Sequence, residues 1–331
     1  MSERRRVAPR RQGPLGGQRS TRHVLEERRS HKRGGDTAAL ARIAELPCWT
    51  GPVEIAPLAG GMTNRNFLVH NAGTRFVVRL GRDLPAHGVM RFNELAAARA
   101  AHAAGISPEV VFAQRGVMVS RFIEGRTLEP RELRDTSRHE AVVELLRRCH
   151  RDIPKYLRGP ALMFWVFQVI RGYCAWLQER PGHLMGAQLP GLVAMAEQLE
   201  TAVGAVEIVF GHNDLLAANF LDDGHRLWLI DWDYAGFNSP LFDLANLSAN
   251  NLFSPEADSG LLELYFQTPP DSARLRSFAA MKCASVLREA LWGAVSHHSS
   301  RIQFDYAAYT ATWLERLDAL WQEHREPRVL R

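Results

Sequence analysis

The sequence predicts an α+β chain in two lobes, a small lobe built on antiparallel strands and a larger, mostly helical one. Two observations predict it. Between Val53 and Phe122 short apolar runs alternate with turn residues, and beyond Glu124-Gly125 the apolar spacing turns helical almost throughout. A small strand-rich lobe joined by one crossing to a larger helical lobe leaves a cleft, where ligands commonly bind. The expected divisions are a tail over 1–36, a first lobe over 37–122 and a second over 123–331.

The elements follow in chain order. Asp36 or Thr37 can cap a helix running through Leu46, which Pro47 ends. Two apolar runs, Val53 to Leu58 and Phe67 to His70, flank the polar segment Leu58-Ala-Gly-Gly-Met-Thr-Asn-Arg-Asn66. The turn signal Asn71-Ala-Gly73 leads into a third run, Arg75 to Leu80, which makes a three-stranded antiparallel meander. A helical pattern covers Arg91 to Ala104 and stops at Gly105. Val110 to Ala113 and Val117 to Phe122 read as two further strands.

Composition narrows the class. With 46% hydrophobic and 23% charged residues the chain is globular. No stretch approaches the run of about 20 apolar residues that a membrane span needs. The first residues lack the apolar core of a secretory signal, so the expected location is the cytoplasm. Cys48, Cys149, Cys174 and Cys283 are far apart, which fits reduced thiols better than a zinc site or a disulfide framework. The net charge of +5 is unevenly placed: residues 1–36 carry eleven basic against four acidic side chains, and the remaining 30 basic and 32 acidic residues leave −2. The basic tail has almost no large apolar residues and is expected to stay unfolded. A passive segment is the favoured reading; an arm that holds anions weakly, on nucleic acid or membrane, is the other. No specific nucleic-acid partner is expected.

The chemistry concentrates in one block, Phe210-Gly-His-Asn-Asp-Leu-Leu-Ala-Ala-Asn-Phe-Leu221, followed by Arg226-Leu-Trp-Leu-Ile-Asp-Trp-Asp-Tyr-Ala-Gly236. Phosphoryl transfer needs a carboxylate to orient or deprotonate the accepting hydroxyl, oxygen ligands for Mg2+, and a cation for the nucleotide phosphates. His212-x-Asp214-x4-Asn219 has the kinase catalytic-loop spacing, with Asp214 as base and Asn219 as metal ligand. The run Leu227 to Ile230 delivers Asp231 to a strand end as the second metal ligand, and the turn Asp222-Asp-Gly224 folds the two segments into a hairpin. The spacing alone is a weak signal, because a polar loop with Asn219 as a turn residue produces it too. What carries weight is the order: meander, helix, catalytic loop, then a strand ending in Asp. His212 is expected to be a buried brace for the loop.

The loop Gly60-Gly-Met-Thr-Asn-Arg-Asn-Phe67, the block above, Phe237-Asn-Ser-Pro-Leu-Phe-Asp-Leu-Ala-Asn246, Leu291-Trp-Gly-Ala-Val and Ile302-Gln-Phe-Asp-Tyr-Ala-Ala-Tyr309 together resemble the choline/ethanolamine kinase family. The resemblance runs from about Asp36 to about Leu320. It implies a protein-kinase-like fold shared with aminoglycoside phosphotransferases, ATP and Mg2+ as cofactors, and choline or a related amino alcohol as acceptor. The first lobe would then bind nucleotide, and the second would hold the catalytic and acceptor groups. Ethanolamine, thiamine or an aminoglycoside is the alternative acceptor. A kinase-like binding protein without activity is a third reading, against which the intact Asp214, Asn219 and Asp231 argue.

The same resemblance implies further roles. Arg79 takes the place of the phosphate-binding Lys of protein kinases, and its guanidinium suits phosphate oxygens. Glu94 is its expected ion-pair partner, with a solvated helix glutamate as the plain alternative. Backbone amides from Gly61 through Thr63 to Asn64 would approach phosphate. Val119 to Phe122 would meet the adenine, and Asp243 would brace the catalytic loop. Trp292 would form a cage for a quaternary ammonium, with Glu289 on the same helical face and rings from Tyr306, Trp232, Tyr234 and Phe304. Two departures stand out. Glu289 holds a position where a second tryptophan is expected, and Asn250-Asn251 stand where an acidic residue is expected.

Overall fold

The computed structural model describes residues 37–58 and 64–325. The chain divides into two compact units, 1–47 and 48–331. The described part of the first is a helix over 37–44 (α1), two residues shorter than the sequence predicts. The expectations for the tail over 1–36 lie outside the described residues.

The second unit opens with a five-stranded antiparallel sheet. Its strands are Glu54–Leu58 (β1), Arg65–Asn71 (β2), Thr74–Leu80 (β3), Val110–Gln114 (β4) and Val117–Arg121 (β5), in the order β1-β2-β3-β5-β4. The two-residue turn between β2 and β3 has positive φ at both Ala72 (48°) and Gly73 (76°), the backbone a tight right-twisted hairpin demands. Phe67, Val78 and Val119 are paired neighbours across three strands, and all are buried. Side chains alternate along a strand, so Arg79, next to Val78, projects from the opposite face. Between β3 and β4 runs Arg91–Ala103 (α2), which buries Ala97, Ala98, Ala100 and Ala101 and puts Glu94 in its first turn. Gly105 then turns the chain with φ 71°.

Beyond Arg121 helices dominate. Arg126–Thr127 (β6), Pro130–Leu133 (α3), His139–Tyr156 (α4), Val166–Gln178 (α5) and Leu189–Val203 (α6) lead to Val209–Gly211 (β7), Phe220–Asp222 (β8), Leu227–Leu229 (β9) and Gly236–Asn238 (β10). Pro240–Asn251 (α7), Pro255–Phe266 (α8), Ser272–Ser299 (α9) and Tyr306–Arg325 (α10) complete the unit. The β8–β9 hairpin forms where the sequence predicts it, and Asp223 Oδ1 accepts from the amides of His225 (2.9 Å) and Arg226 (2.8 Å) to close the turn. β6 pairs with β8, and β7 with β10. These two- and three-residue strands are too short to show a period in sequence. The helix α9 packs against α5, α6, α7 and α10 and is buried without interruption from Cys283 to Ser296. A helix covered on every side is a core element, so a charged residue on it must be paired or functional. Among the described residues no helix is long and apolar enough to cross a membrane, and all four cysteines are free.

Candidate active site

The catalytic loop hangs from one buried carboxylate. Pairing of β7 with β10 brings Gly211 opposite Gly236, so both ends of the motif block meet. Asp243 stands in the first turn of α7, which Ser239 caps by accepting the Leu241 amide at 3.2 Å. Its carboxylate accepts from the backbone N–H of His212 (2.9 Å) and Asn213 (2.7 Å), and it pairs with His150 Nε2 at 2.8 Å. Burial alone would raise this carboxyl, but the His150 bond, the histidine charges and the amide donors outweigh it and leave its pKa below the usual value. Cys149, His150 and Asp243 lie close enough for a metal, yet each is engaged: Cys149 Sγ faces Phe210 O at 3.7 Å, and His150 Nδ1 meets Tyr265 OH at 2.7 Å.

Asn213 has φ 65°, a left-handed conformation that is sterically unfavourable for a non-glycine residue. Its side chain holds that shape by donating to Tyr234 O (3.0 Å) and Gly236 O (3.2 Å). His212 is fully buried; its Nε2 meets Ile230 O at 2.9 Å, and its Nδ1 accepts the Asp214 amide at 3.3 Å. Asn219 Nδ2 donates to Asp214 O at 2.8 Å, and Asn219 O accepts the Ile230 amide at 3.0 Å. The loop and the strand that carries Asp231 are thus one frame. Asp231 follows with φ 70°, a second strained residue, and strain of this kind gathers at functional sites.

Asp214 keeps 16% of its side chain exposed. Burial raises its pKa to about 8; Arg288, 4.0 Å away, opposes that shift, while Glu289, Asp231 and Asp233 add to it.

A charge network lies across from this loop. Arg79 Nη1 contacts Glu94 Oε1 (2.5 Å), Asp231 Oδ1 (2.9 Å) and Asp233 Oδ1 (3.0 Å). Arg91 Nη1 contacts Glu94 Oε2 (2.5 Å) and Asp233 Oδ1 (2.7 Å), and Asn64 Nδ2 donates to Asp233 Oδ2 at 2.9 Å. Burial would lower the Arg79 pKa, but the charges of Asp231, Glu94 and Asp233 carry it well above the usual value. Glu94 moves up, chiefly through burial, against the pull of Arg79 and Arg91. Among the described residues two guanidinium groups face three carboxylates. Hard oxygen donors of the Asp and Asn type suit Mg2+.

The residues expected at the acceptor also meet. Trp292 Nε1 donates to Tyr234 OH at 2.8 Å, and its ring neighbours His87 (5.5 Å between centroids), Tyr306 (5.9 Å) and Tyr309 (5.6 Å). Glu289 Oε2 accepts the Tyr309 hydroxyl at 2.8 Å, and its Oε1 pairs with Arg288 Nη1.

Residues 55–253 match the choline/ethanolamine kinase family model. The chain is 31% identical to a Protein LicA of Haemophilus influenzae over 80% of this chain and 78% of that one. The chain belongs to the choline/ethanolamine kinase family. A solved choline/ethanolamine kinase family protein from Mesorhizobium loti is 30% identical with a TM-score of 0.70, covering 87% of this chain and 95% of that one. The choline kinase LicA from Streptococcus pneumoniae superposes with a TM-score of 0.68 over 82% of this chain and 94% of that one; at 23% identity it speaks for the fold alone. This choline/ethanolamine kinase family member is a phosphotransferase that acts on an alcohol, and it has the two-lobed kinase-like α+β fold.

Within this kinase frame the structure brings Asp214, Asn219, Asp231, Arg79, Glu94 and Asn64 to one region, and Glu289, Trp292 and Tyr306 to its neighbour on α9 and α10. Gly61 and Thr63 lie outside the described residues. Trp232 does not join the acceptor rings; its ring packs on His212 at 4.8 Å and its Nε1 donates to Ser107 Oγ at 3.0 Å. Asn251 supports the catalytic loop by donating to Leu215 O at 3.1 Å. Four participants escaped sequence reasoning. Asp233 stands two residues after Asp231, and Arg91 stands one helical turn before Glu94; both spacings were available as signals. His87, on the 3-10 turn Pro85–His87, and Arg288 gave none.

Proposed function

We propose that this kinase transfers the γ-phosphate of ATP to the hydroxyl of choline or a related amino alcohol, with Asp214 as base and with Asn219 and Asp231 holding Mg2+. The observation that supports the reading most is the shared frame: Asn219 bonds to Asp214 through its side chain and to the Asp231 strand through its backbone. In the step itself the acceptor oxygen forms a bond to the γ-phosphorus, the bond from that phosphorus to ADP breaks, and the hydroxyl proton passes to Asp214. Part of its carboxylate stays exposed, so an acceptor hydroxyl can reach it. Bound Mg2+ would neutralise charge on the nucleotide phosphates. Arg79, held by Glu94 and Asp233, offers its guanidinium to phosphate oxygens and ties the sheet to the metal side of the site. Residues 37–122 would supply the nucleotide contacts, and 123–331 the base and the acceptor pocket. The basic tail would take no part in transfer.

ATP turnover against choline, ethanolamine, thiamine and an aminoglycoside tests the reading. Phosphorylation of an amino alcohol supports it; phosphorylation of the aminoglycoside or thiamine alone would replace the acceptor but keep the chemistry.

A further inference from the structure

Arg288 is a charged side chain within the buried run of α9, and it is only 1% exposed. Its Nη1 pairs with Glu289 Oε1 and lies 4.0 Å from Asp214 Oδ1. Its guanidinium carbon lies 4.3 Å from the centre of the Tyr234 ring and 5.7 Å from that of Phe164. A quaternary ammonium is held by open ring faces and gains from an uncompensated carboxylate beside them. Neither is offered here. A cation belonging to the chain itself already sits on the Tyr234 face, and the Glu289 carboxylate is shared between Arg288 and the Tyr309 hydroxyl. Trp292 is hemmed by His87, Tyr306 and Tyr309.

The guanidinium also has unmet bonding capacity. Among the described residues Arg288 Nε and Nη2 have no hydrogen-bond partner. Together these nitrogens make one edge of the planar fork, which accepts two oxygens side by side. A buried donor without a partner is unfavourable, so a ligand that brings oxygen to this edge is favoured over one that does not.

We propose that Arg288 sets the acceptor specificity of this site. It excludes a quaternary ammonium from the Tyr234 face and selects an amino alcohol that carries a further oxygen, a second hydroxyl or a carboxylate, within a few bonds of the hydroxyl to be phosphorylated. The inference rests on the kinase reading above and narrows its acceptor. Steady-state kinetics at saturating ATP test it, using choline, 2-amino-1,3-propanediol and serine with the wild type, Arg288→Met, Arg288→Lys and Arg288→Gln. The wild type is expected to favour the diol or serine over choline by at least roughly tenfold in kcat/KM. Arg288→Met should lower kcat/KM for the favoured acceptor by roughly 10–100-fold and raise it for choline. Whichever of diol and serine is favoured tells hydroxyl from carboxylate. Thermal melts report whether each variant folds; if Arg288→Met does not, Arg288→Gln and Arg288→Lys should narrow the preference in the same direction. A wild type that prefers choline overturns the proposal. So does an equal loss for all acceptors in every folded variant. Turnover of choline alone leaves the kinase reading standing; no turnover of choline, the diol or serine overturns the proposal, and ethanolamine, run beside them, tells whether the kinase reading falls with it.

Discussion

Asp214 is set among opposing charges, with Arg288 on one side and Glu289, Asp231 and Asp233 on the other. Its partners explain why some residues were legible in the sequence and others were not. Asp214 and Asn219 are fixed by a local turn, and Asp231 ends the strand that follows, so chain spacing records their geometry. Asp233 and Arg91 join the same network through tertiary folding, and their only trace is a second carboxylate and an i,i+3 pair. An arginine on a helix is ordinarily solvated, so nothing in the chain announces that Arg288 is buried. At this scale the metal assignment is testable. Asn219→Ala and Asp231→Ala each remove a proposed oxygen ligand and should raise the Mg2+ concentration for half-maximal rate. Mg2+ titrations of both variants that overlay the wild type would place the ligands elsewhere. Asp233→Asn should weaken ATP binding without this change in metal demand, because Asp233 orients Arg79 and Arg91 instead.

At the scale of elements, the sheet and α2 read well because period-2 and period-3.6 patterns are long enough to count there. The strands β6, β7 and β10 are defined by their partners alone. The brace from α7 is likewise invisible until the fold joins Asp243 to residues about 30 positions earlier. Asp243→Ala leaves two buried amides and His150 without their acceptor, and should destabilise the protein by about 3–5 kcal/mol. The denaturant midpoint measures this, with the slope unchanged. The turn at His87 makes a second prediction. Its ring meets Tyr173 OH and Ser296 Oγ, both at 3.2 Å, and burial, helped by Arg288, pushes its pKa down to about 3. An unfolded histidine titrates near 6.5, so between these values the unfolded chain binds the extra proton. Stability should therefore be full above pH 6.5 and decline as pH falls toward 3, and His87→Phe should flatten that decline. Equal slopes in the two proteins would show that His87 charges as readily folded as unfolded.

The whole molecule couples a basic tail to a body whose charge is nearly balanced. Composition predicts the tail as a separate segment, which lies outside the described residues, while the helical half was legible in kind but not in packing: α9 reads as one helix among several, yet it is buried from Cys283 to Ser296 and carries Glu289 and Trp292. Removing residues 1–35 should leave kcat/KM and the melting temperature within error of the full chain, since a segment so poor in apolar residues buries little. A fall of several degrees would show that it packs on the body.

The central claim is that this body moves phosphate from ATP to an alcohol with Asp214 as base. Single-turnover phosphorylation by Asp214→Asn, alongside ATP binding by the same variant, tests it most directly. The account predicts ATP affinity close to wild type and a transfer rate lower by roughly 10²–10⁴-fold. Transfer at the wild-type rate would contradict it.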